Sequence, residues 1–595
     1  MVVATSQDHD PGNRNHHRSR GPLGGPAYSA PGLKKQAPPL RARLCNATPG
    51  PLPQQVSAYG TKRAKGAKGQ KGKGAKGRGA RMKDKGKMKE KALKNGNASA
   101  PLPLPAPSPL RPFAASSLFP LSFAAVLLLH VLYTLLNQAP PVWDMAYHQM
   151  QGFRYLAAWQ AGTFWSRFAD LSSYYPPLYY LQEAAVLGLA SYTEFLPLLV
   201  NLPGLFLLGF CTFRLAQVHV GQGWAWLAGL LPLLFPLVAW TSRESLLDVS
   251  LSGWVAAAVF LLWRSRMLES HAWSLLLGVV FALGMLTKWT FPVFLVFPLG
   301  YALYAARDRK RSLLHLIDAV LIGAPLVFFW YLPNLKSLAE RFALTSGTGT
   351  ALENDPTAMQ LQAWLYYLRC LSSYYLYLPL TLLFVVGFAA WWRRARSPEG
   401  GTSLLWWWLG GSGLLLTLLD AKDPRYMMPL VAPVAVLLVV FWKDRPLVLW
   451  AITVIAVLQF ALISFNLLGR PVKWAILDLK NDTDYISLSR EWVLFQTHYF
   501  DAAGPAHRED WHLEDILRVV PAGERVGFVP DMARFNPGTL QLTGLLGGKK
   551  LEFVRLGDSA RSVEMLRELH YVVGKTGRQG LSYITAYNGA VYEKL

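Results

Sequence analysis

Charged residues are scarce in this chain. They make up 16% of its 595 residues, well below the roughly 25% that is usual for soluble proteins. Hydrophobic residues reach 52%, and 22 residues are Trp. A composition so poor in charge and so rich in aromatic residues excludes an ordinary soluble protein and predicts a polytopic membrane protein.

Cysteine is also scarce. The three cysteines, Cys45, Cys211 and Cys370, lie far apart, and the last two lie in or beside apolar runs. This spacing is typical neither of a disulfide framework nor of a cysteine-ligated metal site. The functional residues therefore have to be sought among other residue types.

Long apolar runs are abundant. A helix that crosses a bilayer needs about 20 predominantly apolar residues. Twelve runs meet or approach this length, near residues 115–136, 178–193, 196–218, 224–241, 246–263, 272–288, 290–305, 313–332, 374–392, 403–419, 427–442 and 447–468. These runs predict a bundle of transmembrane helices between residues 113 and 468.

Basic residues recur at alternate junctions of these runs. They lie at residues 264–266, 307–311, 393–396 and 443–445. Because Lys and Arg accumulate on the cytoplasmic side, these ends are predicted to be cytoplasmic, and the junctions between them and the C-terminal segment to lie outside. A cytoplasmic N-terminus and an external C-terminus require an odd number of crossings, so we expect thirteen, with the extra one between Pro177 and Trp240.

The N-terminal segment, residues 1–112, is a strongly basic tail. It holds 23 Lys and Arg against 4 Asp and Glu, and its Ala-Lys-Gly repeats and Pro-rich end offer no apolar face. This composition predicts disorder. The tail is either a topology-setting arm or a ligand for nucleic acid or anionic lipid. We favour the arm and expect no specific nucleic acid, since a polybasic segment beside a membrane already gains about 1 kcal/mol per charge from anionic lipid.

The C-terminal segment, residues 469–595, has the pattern of a small α/β domain. Short runs rich in Val and Phe predict strands near 525–530, 549–555 and 570–575, and apolar spacing predicts helices at 511–520 and 559–568. Residues 584–592 predict a hairpin around the turn Asn588-Gly589. The predicted fold is thus a polytopic α-helical membrane protein of about 12–13 spans with a disordered N-terminus and a periplasmic α/β domain.

Asp144 is the first candidate functional residue. It lies among aromatic residues in Val142–His148, directly after the first apolar run. An acid at a membrane surface is costly unless it has a role, and a carboxylate can act there as a general base. The structural alternative is an N-cap for a surface helix over Met145–Gln160. Both roles can hold together.

Cations at the outward-facing junctions are candidates for binding a phosphate. Fixed positive charge stabilises the negative charge that develops on a departing phosphate. The candidates for phosphate or cavity binding are Arg243, Asp248, Lys288, Lys422, Arg425 and Tyr426. Lys288 and Arg425 could equally be snorkelling residues at helix ends. Arg243 could equally form an ion pair with Glu244 or Asp248.

Three further side chains near Asp144 are candidate substrate contacts. They are Tyr147, His148 and Tyr175. His148 follows Asp144 by four residues and would share its helical face, so a divalent metal is possible, but two ligands do not make a metal site. The aromatic clusters Tyr174-Tyr175 and Tyr374-Tyr375 have a structural alternative as interfacial anchors, which we favour, because Tyr prefers that depth regardless of function.

Five motifs together resemble a known superfamily. They are the Asp-bearing first external loop, Tyr175–Tyr180, Ser242–Asp248, Leu286–Thr290 and Lys422–Pro429. Their order is similar to that of bacterial membrane glycosyltransferases of the glycosyltransferase C superfamily. The similar branch includes protein O-mannosyltransferases, lipid A aminoarabinose transferases and Rgt-type galacturonosyltransferases, and the resemblance covers about residues 115–545.

The resemblance implies a periplasmic active site and a polyprenyl-phosphate-sugar donor, with inversion at the anomeric centre. By position, Asp144 would be the base, Asp248 and Lys288 would line the cavity, and Tyr426 would approach the donor phosphate. Two positions depart from the pattern. Met145 follows Asp144 where many relatives have Glu, and Tyr175 precedes the Pro-Pro where the aminoarabinose branch has Lys. The sugar and any metal dependence therefore stay open.

The leading hypothesis is an inverting glycosyltransferase at the periplasmic face of a bacterial inner membrane. Its acceptor would be a glycolipid, a glycan or a protein. The alternative is a transporter or flippase of lipid-linked saccharides, which needs a charged cavity but no base. Transporters often contain paired repeats, and the sequence has no convincing internal repeat. A third possibility, a scaffold whose basic tail binds nucleic acid or ribosomes, depends on residues 1–112 alone.

Overall fold

The apolar runs fold into helices, each covering most of its predicted range. The computed structural model describes residues 118–352, 355–394, 402–467, 504–580 and 584–595. The helices before residue 467 are α1 (Leu118–Leu136), α2 (Trp143–Gln160), α3 (Phe164–Leu171), α4 (Leu178–Ala190), α5 (Leu196–Leu234), α6 (Pro236–Thr241), α7 (Leu247–Arg264), α8 (His271–Thr287), α9 (Val296–Ala305), α10 (Arg309–Leu344), α11 (Leu361–Cys370), α12 (Tyr377–Arg394), α13 (Ser403–Leu418), α14 (Val431–Trp442) and α15 (Pro446–Phe465). The basic tail, residues 1–112, lies outside the described residues.

Six helical segments are long and apolar enough to cross a membrane. Among the described residues these are Leu118–Leu136, Leu196–Leu234, Leu247–Arg264, Arg309–Gly347, Pro424–Trp442 and Pro446–Phe465. Large apolar side chains such as Leu128 on α1 and Phe328 on α10 are exposed, as expected for surfaces that face lipid. The predicted polytopic helical membrane fold is confirmed.

The extra crossing is expected between residues 177 and 240, a stretch that is described throughout. It contains α4, α5 and the six-residue α6. Helix α5 continues through Pro203 and Pro232 and is interrupted at Gly221, where φ is +67°. The interruption divides α5 into two helical segments, which correspond to the predicted runs at residues 196–218 and 224–241. Proline is tolerated inside such helices because neighbouring groups satisfy the freed backbone.

Helix α7 lies at the centre of the bundle and packs closely against α5. Nearly all its residues are buried, as are residues 431–441 of α14. A Cβ at Gly204 of α5 would lie 2.7 Å from the Cα of Ser250 on α7. Small residues at such crossings let two membrane helices approach through their backbones. This packing fixes the position of α7 against α5, and the first turn of α7 carries Asp248.

The C-terminal segment forms a small α/β unit. Its elements are α16 (Leu513–Val519), β1 (Arg525–Phe528), α17 (Pro537–Leu546), β2 (Glu552–Arg555), α18 (Ala560–Glu564), β3 (Tyr571–Val573) and α19 (Asn588–Lys594). The strands form a parallel sheet in the order β2-β1-β3, with Val526 opposite Phe553 and Tyr571. The three predicted strands and the two predicted helices of this domain agree with the structure.

The hairpin predicted at residues 584–592 is wrong. The Asn588-Gly589 pair begins α19 instead of forming a turn between strands. Val591 is buried against Val529 and Leu556, and the Asn588 side-chain amide donates to the carbonyl of Val529 at 3.1 Å. The burial of Val591 therefore outweighs the preference of Asn588-Gly589 for a hairpin turn, and the segment forms a helix.

The close approach of α5 and α7 gives a first prediction. We expect Gly204→Ala to lower the melting temperature, because overpacking a tight contact costs about 1–3 kcal/mol. Gly300→Ala is the matched control, since a Cβ at Gly300 would meet nothing within 4 Å. Thermal unfolding of both variants in detergent measures the difference. Equal melting temperatures would contradict the proposed backbone contact.

Candidate active site

Asp144 lies in the first turn of α2, near Arg425 and the buried pair Asp248–Lys288, and the name Asp144 cleft is used for the surface formed by these four residues. The N-cap of α2 is Val142, and no side chain caps the helix, so the predicted capping role of Asp144 is wrong. The side chain of Asp144 is 62% exposed, and its Oδ2 lies 3.9 Å from Nη2 of Arg425. Asp144 accepts no hydrogen bond from any described residue. The Asp144 carboxylate thus lies close to the Arg425 guanidinium, but no described group donates a hydrogen bond to it.

Arg425 is held in place by a neighbouring carboxylate that the sequence analysis missed. Its Nε and Nη2 donate to Asp423 at 3.0 Å and 2.7 Å, and its backbone N–H donates to Asp423 Oδ1. The order Asp-Pro-Arg is a signal for this arrangement, because Asp is a favoured cap and the Pro fixes the next turn. Within the described residues, Nη1 of Arg425 has no hydrogen-bond acceptor.

A buried ion pair lies beside Arg425. Lys288 Nζ donates to Asp248 Oδ1 at 2.8 Å, and the two side chains are only 7% and 3% exposed. Lys288 is the C-cap of α8, and Asp248 is in the first turn of α7. Each charge is favourable at its helix end. Lys288 Nζ also lies 5.2 Å from the centre of the Tyr426 ring.

Aromatic side chains pack around His148 behind Asp144. His148 is buried, and its Nδ1 lies 3.0 Å from the hydroxyl of Tyr180. The ring of Tyr175 lies 5.3 Å from that of His148, whereas Tyr147 is exposed. Burial lowers the pKa of His148 to about 4, so the imidazole is neutral near pH 7. Burial raises the pKa of Tyr175, which keeps its hydroxyl protonated.

The structure does not bring Asp144 and His148 together as metal ligands. His148 is engaged with Tyr180, while Asp144 faces Arg425. The described part of the chain contains no group of three His, Cys, Asp or Glu side chains that could hold a metal ion.

Arg243 lies in a separate buried network. Its Nε donates to His130 Nδ1 at 2.8 Å and its Nη2 donates to Ser464 Oγ at 2.8 Å. The guanidinium also lies 3.9 Å from the centre of the Tyr133 ring. These contacts join the junction before α7 to α1 and α15. The predicted phosphate-binding candidate therefore lies within the helix packing.

Lys422 is also placed away from Asp144. Its Nζ donates to the backbone carbonyls of Leu416, Thr417 and Leu419 at the C-terminal end of α13. Its backbone N–H donates to Asp355 at 2.8 Å. A cation at a helix C-terminus satisfies the last carbonyls and is stabilised by the helix dipole.

The C-terminal domain contacts the segment that leads into Asp144. Trp143 Nε1 donates to Asp531 Oδ1 at 2.6 Å, and the Trp143 backbone N–H donates to Ala533 at 3.3 Å. Nothing in the sequence links residues so far apart in the chain. The domain and the Asp144 cleft therefore lie at the same end of the bundle.

A cavity of about 540 Å³ lies at the opposite end of the helices. It is lined by His271, Asp308, Lys310, Arg311, Leu314, His315 and Asp318. His271 pairs with Asp318 at 3.1 Å, and His315 Nδ1 lies 2.8 Å from the carbonyl of Leu268. His271, Asp318 and His315 are thus engaged with one another or with backbone, and we place the candidate active site at Asp144.

The neutral state of His148 gives a prediction about pH. An unfolded His binds a proton below its ordinary pKa of 6.5, whereas folded His148 does so only near 4. Between these values the unfolded state binds more protons, so stability falls as pH falls, with a slope of up to about 1.4 kcal/mol per pH unit. We expect the melting temperature of His148→Gln to depend less on pH between 6.5 and 4 than that of the parent. Exposed His271→Gln is the control, and parallel curves for H148Q and the parent would contradict the burial argument.

No family model and no curated protein matches the sequence. Two similar solved structures are of ArnT from Cupriavidus metallidurans. The apo structure is 15% identical with a TM-score of 0.45 and covers 58% of this chain and 64% of that one. The structure bound to undecaprenyl phosphate is 16% identical with a TM-score of 0.43 and covers 56% and 61%. The chain thus spans less than two thirds of the length of the ArnT chain.

Proposed function

We propose that this protein is a membrane glycosyltransferase that moves a sugar from a polyprenyl-phosphate donor to an acceptor hydroxyl. The observation that carries the proposal is Asp144, an exposed carboxylate 3.9 Å from Arg425 that accepts no hydrogen bond from the described residues. Such a carboxylate is available to a substrate hydroxyl. The neighbouring carboxylates Asp248 and Asp423 are each engaged by a cation.

The proposed step is a single displacement at the anomeric carbon. The acceptor oxygen forms its bond to that carbon as Asp144 takes the hydroxyl proton, and the bond to the lipid phosphate oxygen breaks. The electron pair of that bond leaves with the phosphate. Because attack and departure occur on opposite sides of the carbon, the configuration inverts.

Arg425 is the main candidate for stabilising the departing phosphate. Asp423 fixes the guanidinium through Nε and Nη2, which leaves Nη1 as a donor without an acceptor in the described chain. A preoriented charged donor stabilises developing negative charge without reorganising. Lys288 supplies a second fixed positive charge next to Tyr426.

The distribution of charge along α7 supports a periplasmic site. Asp248 lies in its first turn and Arg264 in its last, so the two are roughly 24 Å apart along the helix axis. The basic junctions at residues 264–266 and 307–311 belong to the Arg264 end, which is expected to be cytoplasmic. The Asp144 cleft and the C-terminal domain would then face the periplasm of a bacterial inner membrane, where a glycolipid, glycan or protein could be the acceptor.

The decisive variant is Asp144→Asn. We expect sugar transfer to fall by at least about 100-fold, because removing a general base typically costs a factor of 10² to 10⁴. Binding of polyprenyl phosphate and the melting temperature should stay close to those of the parent. Transfer is measured with purified protein, a polyprenyl-phosphate sugar and envelope glycolipid or glycoprotein acceptors followed by mass spectrometry.

The matched control is Asp170→Asn, which removes an exposed carboxylate from the neighbouring helix α3. It should leave transfer unchanged. Full transfer by D144N would overturn the mechanism. A different outcome would identify a transporter: the parent protein transfers no sugar, and D144N still moves lipid-linked saccharide across vesicle membranes.

A second variant tests the phosphate side. Arg425→Gln should weaken binding of polyprenyl phosphate by about 10- to 100-fold, since a hydrogen bond to a charged group contributes about 1.5–3 kcal/mol. Titration of the detergent-solubilised protein with polyprenyl phosphate measures this. Arg508→Gln, an exposed arginine of the C-terminal segment, is the control. Unchanged affinity in R425Q would place the phosphate elsewhere.

A further inference from the structure

We propose that the C-terminal domain positions Asp144 through the contact between Trp143 and Asp531. Asp531 would then be a positioning residue for the reaction, which rests on the proposed function. The contact joins side chains from opposite ends of the chain, Trp143 at the start of α2 and Asp531 just after β1.

The side chain of Asp144 makes few contacts that could fix its position. Its nearest charged partner, Arg425, lies at 3.9 Å, and no described donor hydrogen-bonds to it. The location of its carboxylate is therefore set by the backbone at the start of α2. That backbone is held through the preceding residue, Trp143, whose N–H and indole N–H both donate to the C-terminal domain.

The segment before Trp143 is held by the same domain. Arg534 Nη1 donates to the carbonyl of Pro140 at 2.7 Å, and Thr539 Oγ1 donates to the carbonyl of Pro141 at 2.9 Å. A residue that precedes a proline is disfavoured in the helical conformation, so Ala139 and Pro140 do not extend α2 backwards. The carbonyls of Pro140 and Pro141 accept hydrogen bonds from the domain instead.

Asp531 is itself fixed to the sheet. It is buried, and its Oδ2 lies 2.8 Å from Nη2 of Arg555 at the end of β2. The ion pair leaves Oδ1 for the Trp143 indole. A continuous set of contacts therefore runs from the sheet through Asp531 and Trp143 to the backbone of Asp144.

The domain also reaches the second part of the cleft. Arg534 Nη2 lies 3.9 Å from Glu244 Oε1, and both side chains are buried. Glu244 lies in the junction that leads into α7 and Asp248. One domain thus contacts two of the three chain segments that bring carboxylates to the cleft.

The test uses three variants of the full-length protein. Trp143→Phe removes the indole N–H but keeps an aromatic ring, Asp531→Leu removes the acceptor, and Asp531→Asn keeps an oxygen that can accept the bond. The control is Trp165→Phe, an exposed tryptophan of α3. The readouts are kcat, KM for the donor, melting temperature, and hydrogen–deuterium exchange of peptides covering residues 137–147.

We expect W143F and D531L to lower kcat about ten-fold, because a small displacement of a reacting group is enough for such a loss. Donor KM and melting temperature should stay near those of the parent, exchange in residues 137–147 should become faster, and D531N should restore kcat and protection. The double variant W143F/D531L should lose no more than the worse single variant, since both remove one contact.

Unchanged exchange in W143F and D531L would overturn the proposal whatever the reaction is. Faster exchange with unaltered kcat, in a protein that Asp144→Asn inactivates, would overturn the positioning role. A loss of kcat that follows the melting temperature and is not restored in D531N would show a structural role only, which also overturns it. If exchange is faster in W143F and D531L but D144N is fully active, the proposed function is overturned. The contacts of the C-terminal domain with residues 137–143 would still be supported.

Discussion

The buried ion pair between Asp248 and Lys288 is the interaction on which the cleft depends. It joins the start of α7 to the end of α8, and both side chains are buried. Removing one partner of a buried pair leaves an uncompensated charge and costs about 3–5 kcal/mol. The pair therefore holds two helix ends in register and gives the Tyr426 ring a fixed neighbour. On this side of the cleft the two charges hold each other, while Asp144 on the other side accepts no hydrogen bond from the described residues.

The general architecture could be predicted because bilayer thickness sets the length of apolar runs. Runs such as residues 427–442 have no alternative to a buried or lipid-facing helix. Lys288, Asp248 and Arg425 could be assigned to one site because each interrupts or ends such a run at the same predicted side. Charges at these depths have few possible partners, so their convergence follows from the order of the helices.

The rest depended on contacts that sequence patterns do not encode. Lys422 and Arg243 are cations at the same predicted side, yet Lys422 caps α13 and Arg243 packs against His130 and Tyr133. Composition cannot distinguish a cation that meets a substrate from one that satisfies backbone carbonyls. The Trp143–Asp531 bond spans 388 positions, and the Asn588-Gly589 pair was decided by the burial of Val591.

The hold on residues 137–143 operates largely through main-chain atoms. Arg534 and Thr539 bind the carbonyls of Pro140 and Pro141, and Ala533 accepts the N–H of Trp143. Contacts with main-chain atoms depend little on the side chains of the segment, but they depend on the number of residues between the contacted atoms. Substitutions at Gln138 and Ala139 should therefore be tolerated during evolution. Insertion or deletion of one residue there would move these carbonyls away from Arg534 and Thr539 by one peptide unit. The Asp144 carboxylate would then be displaced from its reacting position.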